Sequence, residues 1–569
     1  MKLSKAIALL LSVLFAFTLA LSGCGSSANN ASSAATSATE ANSETQAPTD
    51  VKPEPIQFTA FVDTANLPDE NNKIIKMIQE KTGVTIKYDT SVGDVDTKVG
   101  IMLASGDYPD FFANASNTKD INNFIDAGAL VPLEELIEKN APSLKEYIGP
   151  YWKKMHAKDG HLYVIPSQMI EGEYTQNTQL NGTYWIQKAI VKEFGYPKIR
   201  TIEQLFDIVE KYKQKYPKID GTDTVPFEIL THEWRRFCLI NGPLNLGGYP
   251  NNGAYIVEPN NFTSENYTAD IVQNKDVTKR YLQIYNQAYN KGLIDPECFF
   301  MNYDQYIAKI ASGAVLAFYD HRWQFEAGEK PLTEAGKIER TYMPIPITFE
   351  EGIVDRYTEK PVTSVTVGPT ITVGCKDPVR LLKFFEYLAQ EETQTLLKWG
   401  VKDEDYFVQE DGRFNMTKEQ ITKSTASDAY KWNGQILGFM AYLGGTRSDG
   451  NAVNPNEQPE IFQQTLTGLD KEILNAYGKQ NWYQMLTPPP QKSAAYYPLW
   501  DVPRGGDAAT IHQKLDDLSF KYYSKAIIAA PDKFEGVWNE FQDELKKIDV
   551  KPIIDLYNET IKWRTENWK

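Results

Sequence analysis

An α/β fold is predicted for this 569-residue chain by three neighbouring observations near its start. Gln57 to Asp63 (QFTAFVD) reads as a short strand. Asn71 to Thr82 (NNKIIKMIQEKT) has the spacing of an amphipathic helix with Ile74, Ile75 and Ile78 inward. Gly83 ends that helix, and Val84 to Tyr88 (VTIKY) gives the next strand. Strand, helix and strand joined by links this short mark a parallel α/β sheet.

The following segments extend the pattern. Lys98 to Ala104 continues as helix, SGDYPD turns, and Phe111-Phe112 starts a buried strand. Farther on, the periodicity predicts helices over Ile202–Tyr216, Val277–Asn290, Val379–Trp399, Asp507–Ala529 and Phe534–Ile548. The proline-rich LTPPPQK, 486–492, is expected to be a loop on an exposed rim. No internal repeat and no coiled-coil heptad is present in the sequence.

The first residues belong to a different kind of segment. Met1 to Lys5 is short and positive, and Ala6 to Leu21 is almost wholly apolar but falls short of the roughly 20 residues a bilayer crossing takes. Charged start, apolar middle and small-residue exit predict a secretory signal peptide over residues 1–23. Leu21-Ser22-Gly23-Cys24 resembles the bacterial lipobox, which implies cleavage before Cys24 and lipid attachment to it. Residues 24–55 are mainly Ala, Ser, Thr and Asn and end in Pro48, Pro53 and Pro55. Such a tract cannot bury enough apolar surface to offset its ordering entropy, so it reads as a flexible linker. Acyl chains on Cys24 would tether a soluble body to the outer face of the cytoplasmic membrane.

That body, about 545 residues, is long enough for several ordinary domains or two large lobes. A hydrophobic content of 42% with 24% charged residues is ordinary for a globular chain. The net charge of −16 argues against nucleic acid and anionic membrane surfaces as partners, since both require a basic face. Cys238, Cys298 and Cys375 are odd in number and far apart, so no disulfide scaffold is expected. The aromatic load is heavy, with 11 Trp and 32 Tyr, and such rings serve either large cores or stacking surfaces for sugar rings.

Several stretches, in order, carry a family resemblance: EKTGV (80–84), LASGDYPDFF (103–112), DGHLYVIPSQ (159–168) and YWIQKAIVKEFGYPKIRTIEQLFDIVEKYKQ (184–214). NKGLIDPECF, ASGAVLAFYDHRW (311–323) and GCKDPVRLLKFFEYLAQEETQTLLKWG continue it. Together they resemble the extracellular solute-binding lipoproteins of ABC importers, in the large oligosaccharide-binding branch. The resemblance implies a two-lobed, type II periplasmic-binding-protein-like α/β fold with a hinge and extra helices. Lobe 1 is then 56–165 plus about 363–430, and lobe 2 is 166–362 plus about 431–569. It implies a monomer that holds an oligosaccharide between its lobes and passes it unaltered to membrane permease subunits. Ile165-Pro166 falls where the first crossing between lobes is expected, and proline stiffens such a link. Pro109-Asp110 and the DGHLY loop either shape the cleft-facing ends of lobe-1 strands or simply terminate them.

Ligand contacts are sought among tryptophans in or just after loops. Trp323 is the leading candidate, with Asp320 three residues earlier as an acceptor for sugar hydroxyls. Trp185 stands where the family pattern has an Arg-like residue. Trp234 has Glu233, Arg235 and Arg236 beside it; Trp432 lies in YKWNG; Trp500 precedes Asp501. Gln168, just after the hinge-like IPS, completes the set. Any one of these tryptophans could equally belong to a core, and Trp538, Trp563 and Trp568 in the terminal helices are assigned to packing.

No cofactor and no metal is expected. Relatives carry an oxygen-rich calcium loop where this chain has YPKIDGTDTVP (216–226). Lys218 and Ile219 stand at positions where oxygen ligands are needed, and calcium takes six to eight of them. The sequence holds no nucleophile-elbow, zinc-protease, P-loop or dinucleotide motif. Two other readings stay open at this point. A surface-anchored polysaccharide-degrading enzyme would need a carboxylate pair about 5–10 Å apart. A peptide receptor of the same fold would need an acidic anchor for an amine and an Arg for a carboxylate.

Overall fold

The computed structural model describes residues 54–568, apart from 63–66, 68–70, 91–94, 114–120, 168, 174–175, 259–266, 361–367, 426–441, 443 and 491–492. Cys24 and the candidates Gln168 and Trp432 lie outside the described residues.

The opening unit forms as local chemistry dictates. Strand Ile56–Val62 leads to helix Lys73–Thr82, whose first turn is capped by the Asn72 side chain accepting from Ile74 N at 2.8 Å. Ile74, Ile75 and Ile78 are buried, each contributing about 1.5–3 kcal/mol of apolar burial. Gly83 adopts φ 68°, a conformation only glycine takes cheaply, and turns the chain into strand Val84–Thr90. The two strands pair in parallel, Ile56 beside Val84, as the link lengths predict.

This first sheet runs Thr370–Ile371, Phe111–Phe112, Ile56–Val62, Val84–Thr90 from edge to edge, with Thr370–Ile371 antiparallel to its neighbour. Asp110, just before the Phe111–Phe112 strand, staples it. One carboxylate oxygen accepts from Thr59 N at 2.7 Å and Thr59 Oγ1 at 2.8 Å, and the other accepts from Lys376 N at 3.0 Å. Phe58, Phe111, Leu381 and Phe385 lie in the core around this sheet.

A second sheet runs Tyr342–Ile345, Thr183–Gln187, Val315–Asp320, Val225–Ile229. It is mixed rather than wholly parallel, because Thr183–Gln187 opposes both of its neighbours. The topology gives the reason. In each sheet the odd strand is the one the chain enters directly from the other core, so it starts at the edge where the remaining strands end. Tyr184, Phe227, Tyr285 and Phe318 belong to the core of this sheet. A third, smaller core gathers Tyr255, Tyr496, Leu515 and Tyr557. The result is the two-lobed α/β fold that the resemblance implies.

Two elements differ from expectation. The helix expected over Val379–Trp399 is broken at Gln390, whose ψ of 139° is extended, giving Pro378–Ala389 and Glu391–Trp399. Glu391 and Glu392 then occupy a fresh helix N-terminus, where carboxylates are favoured. Lys98–Ala104, expected as helix, is longer than expected, running Val95–Ser105.

Where the chain passes between the two cores, three segments run side by side. Ile165 N donates to Pro369 O at 2.9 Å, and Gly444 and Gly445 pair in parallel with Ile170 and Glu171. A Cβ at Gly368 would collide with the Ile165 carbonyl oxygen, and one at Gly445 with that of Glu171. Both glycines are there because backbone meets backbone.

Candidate ligand-binding site

In open α/β sheets, ligands bind outside the carboxyl ends of the strands. On the second sheet that edge is formed by Ile229, Asp320 and Ile345, with Thr183 starting beside Asp320. The corresponding edge of the first sheet leads into 63–66, 91–94 and 114–120, outside the described residues.

Two indoles stand on the described edge. Trp234 is 55% exposed and Trp323 is 48% exposed, and their rings lie 5.9 Å apart at 13° to one another. Phe237 extends the stack behind Trp234 at 5.9 Å and 23°. His321 wedges edge-on against both Phe237 and Trp323. The Arg235 guanidinium lies 4.6 Å from the Trp234 centroid and 4.1 Å from that of Tyr303. Glu233, just before Trp234, has φ 53°, a backbone conformation uncommon for a non-glycine residue.

A buried polar layer props this shelf. Asp320 is fully enclosed and accepts from Tyr306 Oη at 2.7 Å, Gln324 Nε2 at 2.6 Å and His321 N at 2.7 Å. Burial lifts its carboxyl to about 7 in spite of these hydrogen bonds. Burial also pushes the His321 imidazole down to about 4, so it is neutral at pH 7. Gly182 lets the chain pass close by, since a Cβ there would strike the Tyr319 hydroxyl and lie 2.6 Å from His321 Nε2.

Nearby polar groups were not singled out by the sequence. Asn245 lies against Tyr319, and its Nδ2 is buried without a partner, as is Asn252 Oδ1. Glu359 lies beside the Tyr497 hydroxyl and the Asn251 backbone, and burial raises its carboxyl to about 7. Buried donors and acceptors seldom stay empty, so this edge has capacity for a polar guest. The surrounding segments carry no motif; only the Asn and Gly content of YPNNGA hints at an irregular loop.

Other expected contacts are committed elsewhere. Asp320 has no face open to a ligand. Trp185 is 1% exposed, donates its indole N–H to the Asp320 carbonyl at 2.8 Å and packs edge-on against Phe325, so it belongs to the core. Arg236 is fastened to the Gly506–Ile528 helix through Asp516 at 3.3 Å and Asp517 at 2.7 Å. Asp501 is buried against Arg564 at 3.1 Å, while its neighbour Trp500 stays 38% exposed. Glu233 is exposed and lies 3.6 Å from Arg235 and 3.7 Å from His232. A cavity of about 500 Å³ lies along the Tyr342–Ile345 strand and the helix that carries Trp323, lined by Trp185, Arg322 and Glu326, and within it Lys188 and Asp470 form a buried pair at 2.7 Å.

The stretch aligned with the calcium loop is a tight hairpin, Lys218–Ile219 against Thr222–Asp223. Lys337 pairs with Asp220 at 2.8 Å and Lys218 with Asp223 at 2.5 Å. Among the described residues, no group of three or more His, Cys, Asp or Glu is placed to hold a metal ion.

Comparison with known proteins adds to this geometry. The fructooligosaccharide ABC transporter substrate-binding protein FusA of Streptococcus pneumoniae is 30% identical over 250 residues, 42% of this chain and 45% of its own length. The chain thus spans less than half of that relative. Lipoprotein LipO of Bacillus subtilis is 20% identical over 474 residues, covering 77% of this chain and 88% of LipO. The structure of FusA in complex with kestose superposes with a TM-score of 0.64 at 17% identity, over 90% of this chain and all of that one, which shows a shared two-lobed fold. The family model described as bacterial extracellular solute-binding protein matches residues 73–400, more than half of the chain. The chain therefore belongs to the bacterial extracellular solute-binding proteins.

Proposed function

We propose that this protein is the lipid-anchored receptor of an ABC importer and captures an oligosaccharide between its lobes. The observation that carries the reading is the pair of half-exposed, nearly parallel indoles, Trp234 and Trp323, at the strand-end edge. Exposed indole faces receive the C–H faces of sugar rings, while the unpartnered Asn245 and Asn252 atoms and Glu359 offer hydrogen bonds to hydroxyls. FusA, named for fructooligosaccharide, supports the same ligand class.

Binding then works as a conformational selection. A ligand touching both lobes stabilises the closed arrangement by its differential affinity, and the permease reads that arrangement. The division into 56–165 plus about 363–430 and 166–362 plus about 431–569 fits the two large cores and the crossing at Ile165, Gly368 and Gly445. Cys24 is the proposed lipid attachment point, residues 24–55 the linker, and LipO a lipoprotein relative. The protein works without chemistry on its guest. Asp320 and Asp501 are already enclosed or paired, and Glu233, beside Trp234, faces Arg235 at 3.6 Å.

The test is a glycan array probed with the exported protein, followed by tryptophan fluorescence titration and chromatography of the recovered glycan. Saturable quenching with unchanged glycan is expected. Released product, or binding confined to peptides, would overturn the reading.

A further inference from the structure

A second cavity, about 420 Å³, lies between the first core and the C-terminal helix Lys551–Asn567. Its volume is within the range of about 300–1,000 Å³ usual for small-molecule sites. Ile125 and Tyr163 line one side, and Val502, Trp563 and Trp568 the other. The two indoles meet edge to face, 6.4 Å apart at 76°, and give the cavity an aromatic wall.

Two donors at this wall lack acceptors. Trp568 is 7% exposed, and its Nε1–H is buried with no partner. Lys154 lines the same cavity, with Nζ 5.5 Å from the Trp568 centroid and 5.9 Å from that of Tyr151. No carboxylate among the described residues comes within ion-pair distance of it. Its neighbour Arg564 differs, being consumed by Asp501 and by the carbonyls of Tyr496 and Pro498. Asp159, also on the lining, is engaged by the Tyr163 hydroxyl at 2.9 Å and His161 N at 3.0 Å. Burial, with Arg564 adding to it, holds the Lys154 ammonium below the ordinary lysine range. A half-enclosed cation flanked by rings and lacking a counter-ion is completed by a negatively charged acceptor.

We propose that this cavity is a second ligand site, separate from the Trp234–Trp323 shelf, that takes a saccharide unit bearing a carboxylate. The sugar ring lies against the Trp563–Trp568 wall, the carboxylate pairs with Lys154, and the Trp568 indole donates to a ring oxygen or hydroxyl. Because its walls come from the first core and from the C-terminal helix, a guest here links the two.

The test titrates the full-length protein in detergent with methyl β-D-glucuronide and with methyl β-D-glucoside, reading heat and tryptophan emission. The glucuronide is expected to bind at least about tenfold more tightly than the glucoside. Lys154→Met should lose about tenfold or more of that affinity, Lys154→Arg should restore most of it, and Trp568→Phe should lose several-fold. Melting temperatures confirm that each variant is folded. The double variant Trp234→Ala/Trp323→Ala should keep glucuronide binding even where it loses an oligosaccharide held at the shelf, so the two sites fail separately. Equal affinity for the two glycosides, unchanged affinity in Lys154→Met, no glucuronide binding, or its loss in the shelf variant would each overturn the proposal.

Discussion

Tyr306 donates its hydroxyl to Asp320 at 2.7 Å, in an interior that neither side chain leaves. Both lie directly under the turn that presents His321 and Trp323, so the aromatic shelf rests on a buried, hydrogen-bonded carboxyl. Removing the donor in Tyr306→Phe should cost about 1–3 kcal/mol of stability, and weaken ligand binding indirectly by loosening the shelf.

The same carboxyl gives stability a pH slope. Its ordinary value is 3.8, and in the folded protein burial raises it to about 7. Folding therefore favours the protonated form. The stability this group contributes is complete below 3.8 and is lost as pH climbs through about 7. Urea melts at pH 5 and pH 8 should show Asp320→Asn gaining on the wild type as pH rises. A variant that tracks the wild type at both values would remove Asp320 from the account. His321, pushed down to about 4, has the opposite slope, but it is present in both proteins and largely cancels from the difference.

Trp185 and Trp323 should separate packing from binding. Trp185→Ala empties a site enclosed by Phe325 and the sheet, and should cost about 3–5 kcal/mol of stability. Trp323→Ala, half in solvent, should change stability by about 1 kcal/mol or less while weakening oligosaccharide affinity about tenfold. Chemical denaturation and fluorescence titration on the two variants read these outcomes.

The contrast between those two tryptophans also marks what the sequence could convey. Asn72, the Ile74–Ile78 spacing and Gly83 act within a dozen residues of one another, so the first strand, helix and strand were legible directly. Thr183–Gln187 and Val315–Asp320 are buried on both faces, so every side chain along them is interior, Trp185 and Asp320 included. Proximity to Trp323 in the chain suggested an acceptor for ligand; only the three-dimensional partners Tyr306, Gln324 and Cys238 reveal a prop. Trp234 and Trp323 are half exposed because they follow strand ends, where side chains leave the sheet. Glu359 was not, since Tyr497 reaches it from a distant loop that no local pattern announces.

At the Lys218–Asp223 hairpin, Lys218 pairs with Asp223 and Lys337 with Asp220. Melting temperature should be the same in millimolar calcium and in excess chelator. Lys337→Met, which frees Asp220, should lower it only slightly, because the pair is at the surface and screened. A rise of several degrees on adding calcium to the wild type would show that this stretch still binds the ion.

The crossing glycines offer the sharpest test of hinge closure. A Cβ at Gly368 meets the Ile165 carbonyl oxygen and one at Gly445 meets that of Glu171, backbone atoms that cannot swing aside as a side chain would. Either alanine substitution must therefore push the paired segments apart, and should cost about 1–3 kcal/mol in stability. Both contacts sit where the chain passes between the two cores, so the strain also biases how the lobes meet. Small-angle scattering should show the wild type contracting when ligand is added, and Gly368→Ala contracting less at the same saturation. If Gly368→Ala closes as fully as the wild type and loses only stability, the crossing is a structural seam and the moving joint lies elsewhere in the chain.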